Sequence, residues 1–161
     1  MARQLRLTLE RRVAQRREDY VVGPTNQAAA AAHDARPGWH GGGQALVGPE
    51  GVGKSHLARA WVAKAGAVEL DRLTPDIAAA AGRPALVEDV DREVSEEALF
   101  HLINMAGRED GGLLLTARTP PASWPARLPD LRSRLNALPV AMIDEPDDVV
   151  LEAVLRRLFA E

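Results

Sequence analysis

The distribution of apolar and polar residues changes at Gln44, where short apolar runs begin to alternate with segments of helical spacing. The apolar runs predict five strands, in the order QALVG, AVEL, PALVED, GLLLTA and PVAMID. The segments between them predict helices, in the order SHLARAWVAKAG, TPDIAAAAG, SEEALFHLINMAG and PDLRSRLN. Because apolar strands that alternate with helices are typical of a parallel sheet covered on both faces, the pattern predicts an α/β fold with five parallel strands.

The clearest helix signal is the segment SEEALFHLINMAG, which opens with a serine followed by acidic residues, as capped helix starts do. Apolar residues then recur every three or four positions, so one face of this helix is predicted to pack on the sheet. That face is formed by Leu99, Leu102, Ile103 and Ala106.

The two ends of the chain do not continue this pattern. Residues 1–17 are rich in arginine and show no core period, so they are predicted to form an arm. Residues 18–144 are predicted to form one α/β domain. The segment 145–161, EPDDVVLEAVLRRLFAE, starts afresh with Pro146 and predicts a further helix that runs to the last residue.

Composition agrees with one globular domain, since the 161 residues are 46% hydrophobic and 27% charged. The net charge of −3 argues against a protein that coats DNA. Cysteine is absent, which excludes disulfides, thiolate metal sites and a catalytic thiol, and which suits a cytoplasmic location. No apolar run approaches the roughly 20 residues of a membrane span, so none is expected.

The most specific motif is GPEGVGKS at residues 48–55, which matches the pattern G-x-x-x-x-G-K-[ST] between a strand and a helix. Backbone N–H groups of such a turn surround phosphate oxygens, and the helix N-terminus adds a favourable dipole. Lys54 is predicted to reach the β- and γ-phosphates, and the Ser55 hydroxyl to bind Mg²⁺. The turn therefore predicts ATP or ADP with Mg²⁺ as ligands, contacted by Pro49, Gly51, Val52, Gly53, Lys54 and Ser55.

An acidic pair follows the third strand, as Glu88 and Asp89 in LVEDVD. Glu88 is predicted to contribute to the Mg²⁺ site and Asp89 to orient an attacking water. Glutamate at the first position departs from the usual aspartate, which matters because Mg²⁺ demands short, regular coordination.

Two further candidates lie downstream. Thr116 ends the fourth strand, where its hydroxyl is placed to hydrogen-bond the γ-phosphate or its attacking water. The segment LPDLRSRL contains Arg132 and Arg134, and an arginine there is suited to act on a neighbouring subunit's nucleotide.

The order of these motifs resembles the AAA+ ATPases, and within them the DnaA/Hda family, with most similarity to the Hda-type inactivators of the initiator DnaA. The resembling segments span most of residues 18–160, and they are YVVGPTNQAA, GPEGVGKSHL, LVEDVD, LLLTARTPP and LPDLRSRL. The resemblance implies that Arg134 is the arginine finger and that His56 belongs to the nucleotide site. It also implies an adenine pocket bordered by Tyr20, Val21, Val22 and Asn26.

The arm adds a resemblance to the peptide by which Hda-type proteins dock on the sliding clamp of the replicative polymerase. In the segment QLRLTL, an extended chain would place Leu5, Leu7 and Leu9 on one face, while Gln4 could hydrogen-bond at the pocket mouth. The implied function is inhibition of replication by promoting hydrolysis of DnaA-bound ATP. DNA would be contacted indirectly through the clamp, and the chain could also form an oligomer.

Two differences from DnaA and its relatives bear on activity. No helix-turn-helix segment follows the AAA+ motifs, which favours the Hda type over DnaA. Only the first helix of the family's helical lid is expected, at residues 147–160, so the lid is predicted to be truncated and hydrolysis by the chain itself to be weak.

Three other functions stay open at this point. A small P-loop kinase would need a mobile, arginine-bearing lid, for which the proline-rich TPPASWPARLPDL is poorly suited. A fragment of an initiator or helicase loader would bind single-stranded DNA, which favours stacking aromatics, yet aromatic residues are only 4% of the chain. A pure adaptor would keep the nucleotide site only as a vestige.

Overall fold

The computed structural model describes residues 42–107 and 112–144, together with Asp148, Glu152, Ala153 and Arg156. The predicted clamp-docking residues Gln4, Leu5, Leu7 and Leu9 lie outside the described residues. So do the predicted adenine-pocket residues Tyr20, Val21, Val22 and Asn26, and most of the predicted lid helix.

The core of the fold is a five-stranded sheet with the order β2-β3-β4-β1-β5, in which every neighbouring pair is parallel. All five predicted strands are present, and the prediction of an α/β fold is confirmed. The strands are β1 Gly43–Val47, β2 Val68–Leu70, β3 Ala85–Val87, β4 Leu113–Ala117 and β5 Val140–Met142.

In the described part of the chain, three α-helices and two short 3₁₀ helices lie between the strands. The α-helices are α1 Lys54–Ala65, α2 Glu96–Ala106 and α3 Pro129–Ala137. The predicted helix in TPDIAAAAG is only a 3₁₀ turn, Ile77–Ala80, because the stretch between Pro75 and Gly82 is too short for an α-helix and Asp76 already accepts from the Ala79 N–H. The other 3₁₀ turn is Pro121–Ser123.

Helices cover both faces of the sheet. On one face α1 buries Leu57, Ala58 and Trp61 against alternate strand residues, because side chains alternate between the two sides of a strand. On the other face α2 and α3 pack on the intervening strand residues, with the predicted apolar face of α2 turned inward. Of that face, Leu99, Leu102 and Ala106 are buried and Ile103 is half-buried.

The register of the strands brings three loops to one edge of the sheet. Val47 at the end of β1 is paired with Ala117 at the end of β4, and Val87 at the end of β3 is paired with Leu115. The Gly48 N–H donates to the Ala117 carbonyl at 3.1 Å, which holds the loop after β1 against β4. The carboxyl edge of the sheet is where ligands bind in open α/β folds. Within residues 42–107 and 112–144, no helix is long and apolar enough to cross a membrane.

Candidate functional site

The loop after β1 is shaped by its glycines. A Cβ at Gly48 would lie 2.4 Å from the Ile143 carbonyl oxygen, so only glycine fits between β1 and the end of β5. Gly51 and Gly53 have φ values of 81° and 97°, which other residues rarely adopt. Gly53 is also the N-cap of α1 and provides no side-chain cap. A glycine loop of this conformation, followed by the first N–H groups of a helix, is suited to bind an anion.

Gly48→Ala is predicted to disturb this loop because the added Cβ would collide with backbone rather than with a movable side chain. We expect a loss of about 1–3 kcal/mol in the free energy of unfolding and at least a tenfold weaker affinity for ATP. Thermal unfolding and titration calorimetry measure the two effects. Gly82→Ala is the matched control: its φ is 68° but open space surrounds the position, so ATP binding should be unchanged. Normal ATP affinity in Gly48→Ala would contradict the prediction.

Lys54 lies inside the loop at the start of α1 and is only 9% exposed. Its ammonium donates hydrogen bonds to the carbonyls of Gly48 and, at 2.8 Å, Pro49. Burial lowers the pKa of Lys54, the nearby Arg118 lowers it further, and the carboxylates of Asp89 and Asp91 act in the opposite direction. A partly desolvated cation that is held by two loop carbonyls favours an anionic ligand.

Ser55 and Glu88, the two residues predicted to bind Mg²⁺, lie within hydrogen-bond distance of each other. The Ser55 hydroxyl donates to Glu88 Oε1 at 3.0 Å, which links the first turn of α1 to the loop after β3. In the part of the chain that the structure describes, no group of three or more His, Asp or Glu residues could enclose a metal ion. The residues fit Mg²⁺ bound by one or two protein oxygens, with phosphate and water oxygens as its remaining ligands. The longer side chain of Glu88 still reaches the serine hydroxyl.

Asp89 and Thr116 also lie side by side at the carboxyl edge. Asp89 has a φ of 58°, a conformation that costs a non-glycine residue about 1–3 kcal/mol. Its N–H donates to the Thr116 hydroxyl at 3.2 Å, and the Val90 N–H donates to the Thr116 carbonyl at 3.0 Å. Buried Thr116 therefore fixes the backbone that carries the Asp89 carboxylate. Its predicted contact with the γ-phosphate stays a prediction.

The two arginines of α3 have different environments. Arg132 donates to the carbonyls of Pro121 at 3.1 Å and Ala122 at 3.0 Å, and also to that of Trp124. It therefore fixes the loop after β4. Arg134 is exposed and has no hydrogen-bond or ion-pair partner among the described residues. Of the two, Arg134 is the one available to another molecule.

The other described residues predicted to contact the nucleotide lie in the loop after β1 or at the start of α1. Pro49 and Gly51 are exposed in the loop, and Val52, Gly53 and His56 are half-buried at its junction with α1. Sequence reasoning missed Arg118. Its guanidinium pairs with Glu50 of the loop at 2.9 Å, and its backbone N–H donates to Asp91 Oδ2 at 3.2 Å. The only indication of this site in the sequence was that Glu50, Asp91 and Arg118 each follow shortly after a strand that ends at this edge of the sheet.

Known proteins of similar structure share this arrangement of strands, although no protein-family model and no curated protein sequence matches the chain. Domain III of the replication initiation protein DnaA from Thermotoga maritima superposes with a TM-score of 0.72 at 18% identity, over 92% of this chain and 74% of that one. DnaA from Aquifex aeolicus bound to AMPPCP gives a TM-score of 0.72 at 16% identity, over 92% and 55%.

A third similar structure is a replication initiator DnaA bound to AMPPCP and single-stranded DNA, with a TM-score of 0.73 at 17% identity, over 92% of this chain and 55% of that one. This chain thus spans about half the length of the longer DnaA chains. At these identities the likeness establishes the fold alone, which is that of DnaA domain III.

Proposed function

We propose that this chain binds ATP or ADP with Mg²⁺ and acts as an AAA+ regulator of replication initiation in the DnaA/Hda family. The observation that carries the proposal is the hydrogen bond between Ser55 and Glu88, because it joins the phosphate-binding loop to the acidic loop after β3 at the place where Mg²⁺ would bind. Two structures of the same fold are described as bound to AMPPCP, a nucleotide analogue, which supports the proposed ligand class.

Each residue of the site has a role in this proposal. Loop amides and Lys54 would bind the phosphates, while Ser55 and Glu88 would bind Mg²⁺ directly or through water. Asp89 would orient the attacking water, from the backbone position that Thr116 fixes. The first test is titration calorimetry of the purified chain with ATP and ADP in the presence of Mg²⁺. Micromolar or tighter binding is expected, and the absence of any binding heat for both nucleotides at several temperatures would refute the nucleotide site.

The regulatory part of the proposal rests on Arg134. It is exposed on α3 and has no partner among the described residues, so its guanidinium is available to the nucleotide of an adjacent subunit. An arginine supplied in trans stabilises the charge that develops during phosphoryl transfer. We propose that the adjacent subunit is DnaA, so that the chain promotes hydrolysis of DnaA-bound ATP while its own hydrolysis is weak.

Docking on the sliding clamp, through Gln4–Leu9, completes the proposal. Replacing Leu7 and Leu9 with alanine should reduce clamp affinity by at least about 100-fold, because each buried leucine contributes roughly 1.5–3 kcal/mol. Surface plasmon resonance on immobilised clamp measures the loss. Leu73→Ala is a suitable control, since Leu73 is an exposed leucine of the folded domain and is 46% exposed. Equal clamp binding by the double variant and the unaltered chain would rule out docking through this segment.

A second candidate function is direct binding of single-stranded DNA, as in an initiator or helicase-loader fragment. It is favoured by one structure of the same fold that is described as bound to single-stranded DNA. Fluorescence anisotropy with a labelled oligonucleotide at several salt concentrations separates the two proposals. Binding that weakens steeply with salt supports direct DNA contact, whereas no binding at low salt leaves the clamp as the route to DNA.

A further inference from the structure

The ion pair between Arg118 and Glu50 connects two loops of the candidate nucleotide site. Arg118 lies two positions beyond Thr116, in the loop after β4, and its Nη2 is 2.9 Å from Glu50 Oε2. Glu50 belongs to the phosphate-binding loop after β1, 68 positions earlier in the sequence. The pair therefore links the loop after β4 to the loop that is proposed to bind the polyphosphate.

The backbone of Arg118 is fixed beside this loop. Its N–H donates to Asp91 Oδ2 at 3.2 Å, and the other oxygen of that carboxylate, Oδ1, is buried without a hydrogen-bond partner within residues 42–107 and 112–144. Arg118 also lies close enough to Lys54 for the two positive charges to act on each other. Two cations thus converge on the loop, and the acidic groups that face them are Glu50, Asp89 and Asp91.

Arg118 is suited to exchange Glu50 for a more strongly charged partner. The side chains of Arg118 and Glu50 are 41% and 79% exposed, and ion pairs with that much contact with water add little stability. A terminal phosphate carries more charge than one carboxylate and can accept two parallel hydrogen bonds from a guanidinium. A triphosphate in the loop would therefore be a stronger partner for Arg118 than Glu50 is.

We propose that Arg118 binds the terminal phosphate of a nucleoside triphosphate in this site, and that Glu50 competes with that phosphate for the Arg118 guanidinium. The inference rests on the proposed nucleotide site and deepens it. The exchange makes the site discriminate between triphosphate and diphosphate, because a diphosphate is one phosphoryl group shorter and leaves Arg118 paired with Glu50.

The test compares the affinities for ATP and ADP by titration calorimetry at fixed Mg²⁺. Arg118→Ala should weaken ATP binding by on the order of 10- to 100-fold, the range for loss of a charge-assisted hydrogen bond, and should change ADP binding by less than about threefold. Arg118→Lys keeps the charge but not the planar fork, so it should retain part of the ATP affinity. Arg83→Ala, which removes an arginine just before β3 at the other end of the sheet, is the matched control and should leave both affinities unchanged.

The role of Glu50 is tested by Glu50→Gln, alone and with Arg118→Ala. Glu50→Gln should strengthen ATP binding by about three- to tenfold, because the competitor and its repulsion of phosphate are both removed. Most of that gain should disappear in the Arg118→Ala background, since coupled residues give non-additive effects. Thermal unfolding of each variant checks that the fold is retained, and Arg118→Lys carries the test if Arg118→Ala unfolds.

The outcomes separate the two levels of the proposal. If the unaltered chain binds neither nucleotide, the proposed function fails and the inference fails with it. If it binds both, but Arg118→Ala weakens ATP and ADP equally or not at all, only the inference is overturned. An unchanged or weaker ATP affinity in Glu50→Gln overturns the competition between Glu50 and phosphate.

Discussion

Lys54→Ala is expected to reduce the affinity of the chain for ATP by at least about 100-fold, because two charge-assisted contacts with the β- and γ-phosphates would be lost. In the structure the ammonium lies within the loop and donates to the Gly48 and Pro49 carbonyls. These carbonyls hold it where a phosphate would arrive. A phosphate offers the ammonium a full negative charge, so exchange of a carbonyl for a phosphate oxygen is favourable in this partly buried place.

The measurement is titration calorimetry with ATP and Mg²⁺, accompanied by thermal unfolding of each variant. Lys64→Ala is a matched control, because the sequence contains only these two lysines and Lys64 is exposed in the last turn of α1. The control should bind ATP as the unaltered chain does. If Lys54→Ala is folded and binds ATP with unchanged affinity, the loop after β1 is not the phosphate site.

The same pair of variants distinguishes a regulator that uses its nucleotide from a pure adaptor. A regulator whose subunit contacts depend on bound nucleotide should lose stimulation of DnaA when Lys54 is replaced, whereas an adaptor with a vestigial site should keep it. The comparison is valid only if the Lys54 variant still binds the clamp. We expect that it does, because the predicted docking segment at Gln4–Leu9 is far from Lys54 in the sequence.

Much of the fold was predictable because each strand is a short apolar run, and the central strands β1, β3 and β4 are buried on both faces. An apolar run of this kind in the sequence corresponds closely to a strand in the structure, as GLLLTA corresponds to β4. Polar or glycine residues mark the ends of the run. The strand boundaries were less certain: the acids of PALVED lie beyond β3, which ends at Val87. The predicted helix in TPDIAAAAG was too long, because alanine favours helix wherever it occurs. The surrounding structure decides how long a helix can be, and here it leaves only a 3₁₀ turn.

In the candidate site, the sequence allowed us to predict that two residues lie close together where the ends of the strands determine their positions. Ser55 and Glu88 meet because parallel strands deliver their following loops to the same edge of the sheet. The pairing of Glu50 with Arg118 was not predictable, since it depends on the paths of two loops that no local pattern specifies. The difference between Arg132 and Arg134 likewise required the structure, because both residues lie on the same short helix and only the positions of nearby carbonyls distinguish them.

That difference gives the prediction with the largest expected effect. Under the proposed function, Arg134→Ala should reduce the stimulated hydrolysis of DnaA-bound ATP by about 10³- to 10⁵-fold, the range found when an arginine finger supplied in trans is absent. The fold should be unaffected, because Arg134 is exposed and contacts no described residue through a hydrogen bond or ion pair. The assay follows release of labelled phosphate from DnaA that was loaded with ATP, in the presence of clamp on DNA.

Arg132→Ala provides the opposite pattern and therefore the control. Its guanidinium donates to three carbonyls of the loop after β4, so its removal should lower the free energy of unfolding by about 1–3 kcal/mol. The folded fraction should still stimulate DnaA, because Arg134 is intact. Full stimulation by Arg134→Ala would exclude a finger at that position. Loss of stimulation in Arg132→Ala alone, at a temperature where it is folded, would instead assign the role to Arg132 and require that it leave those carbonyls.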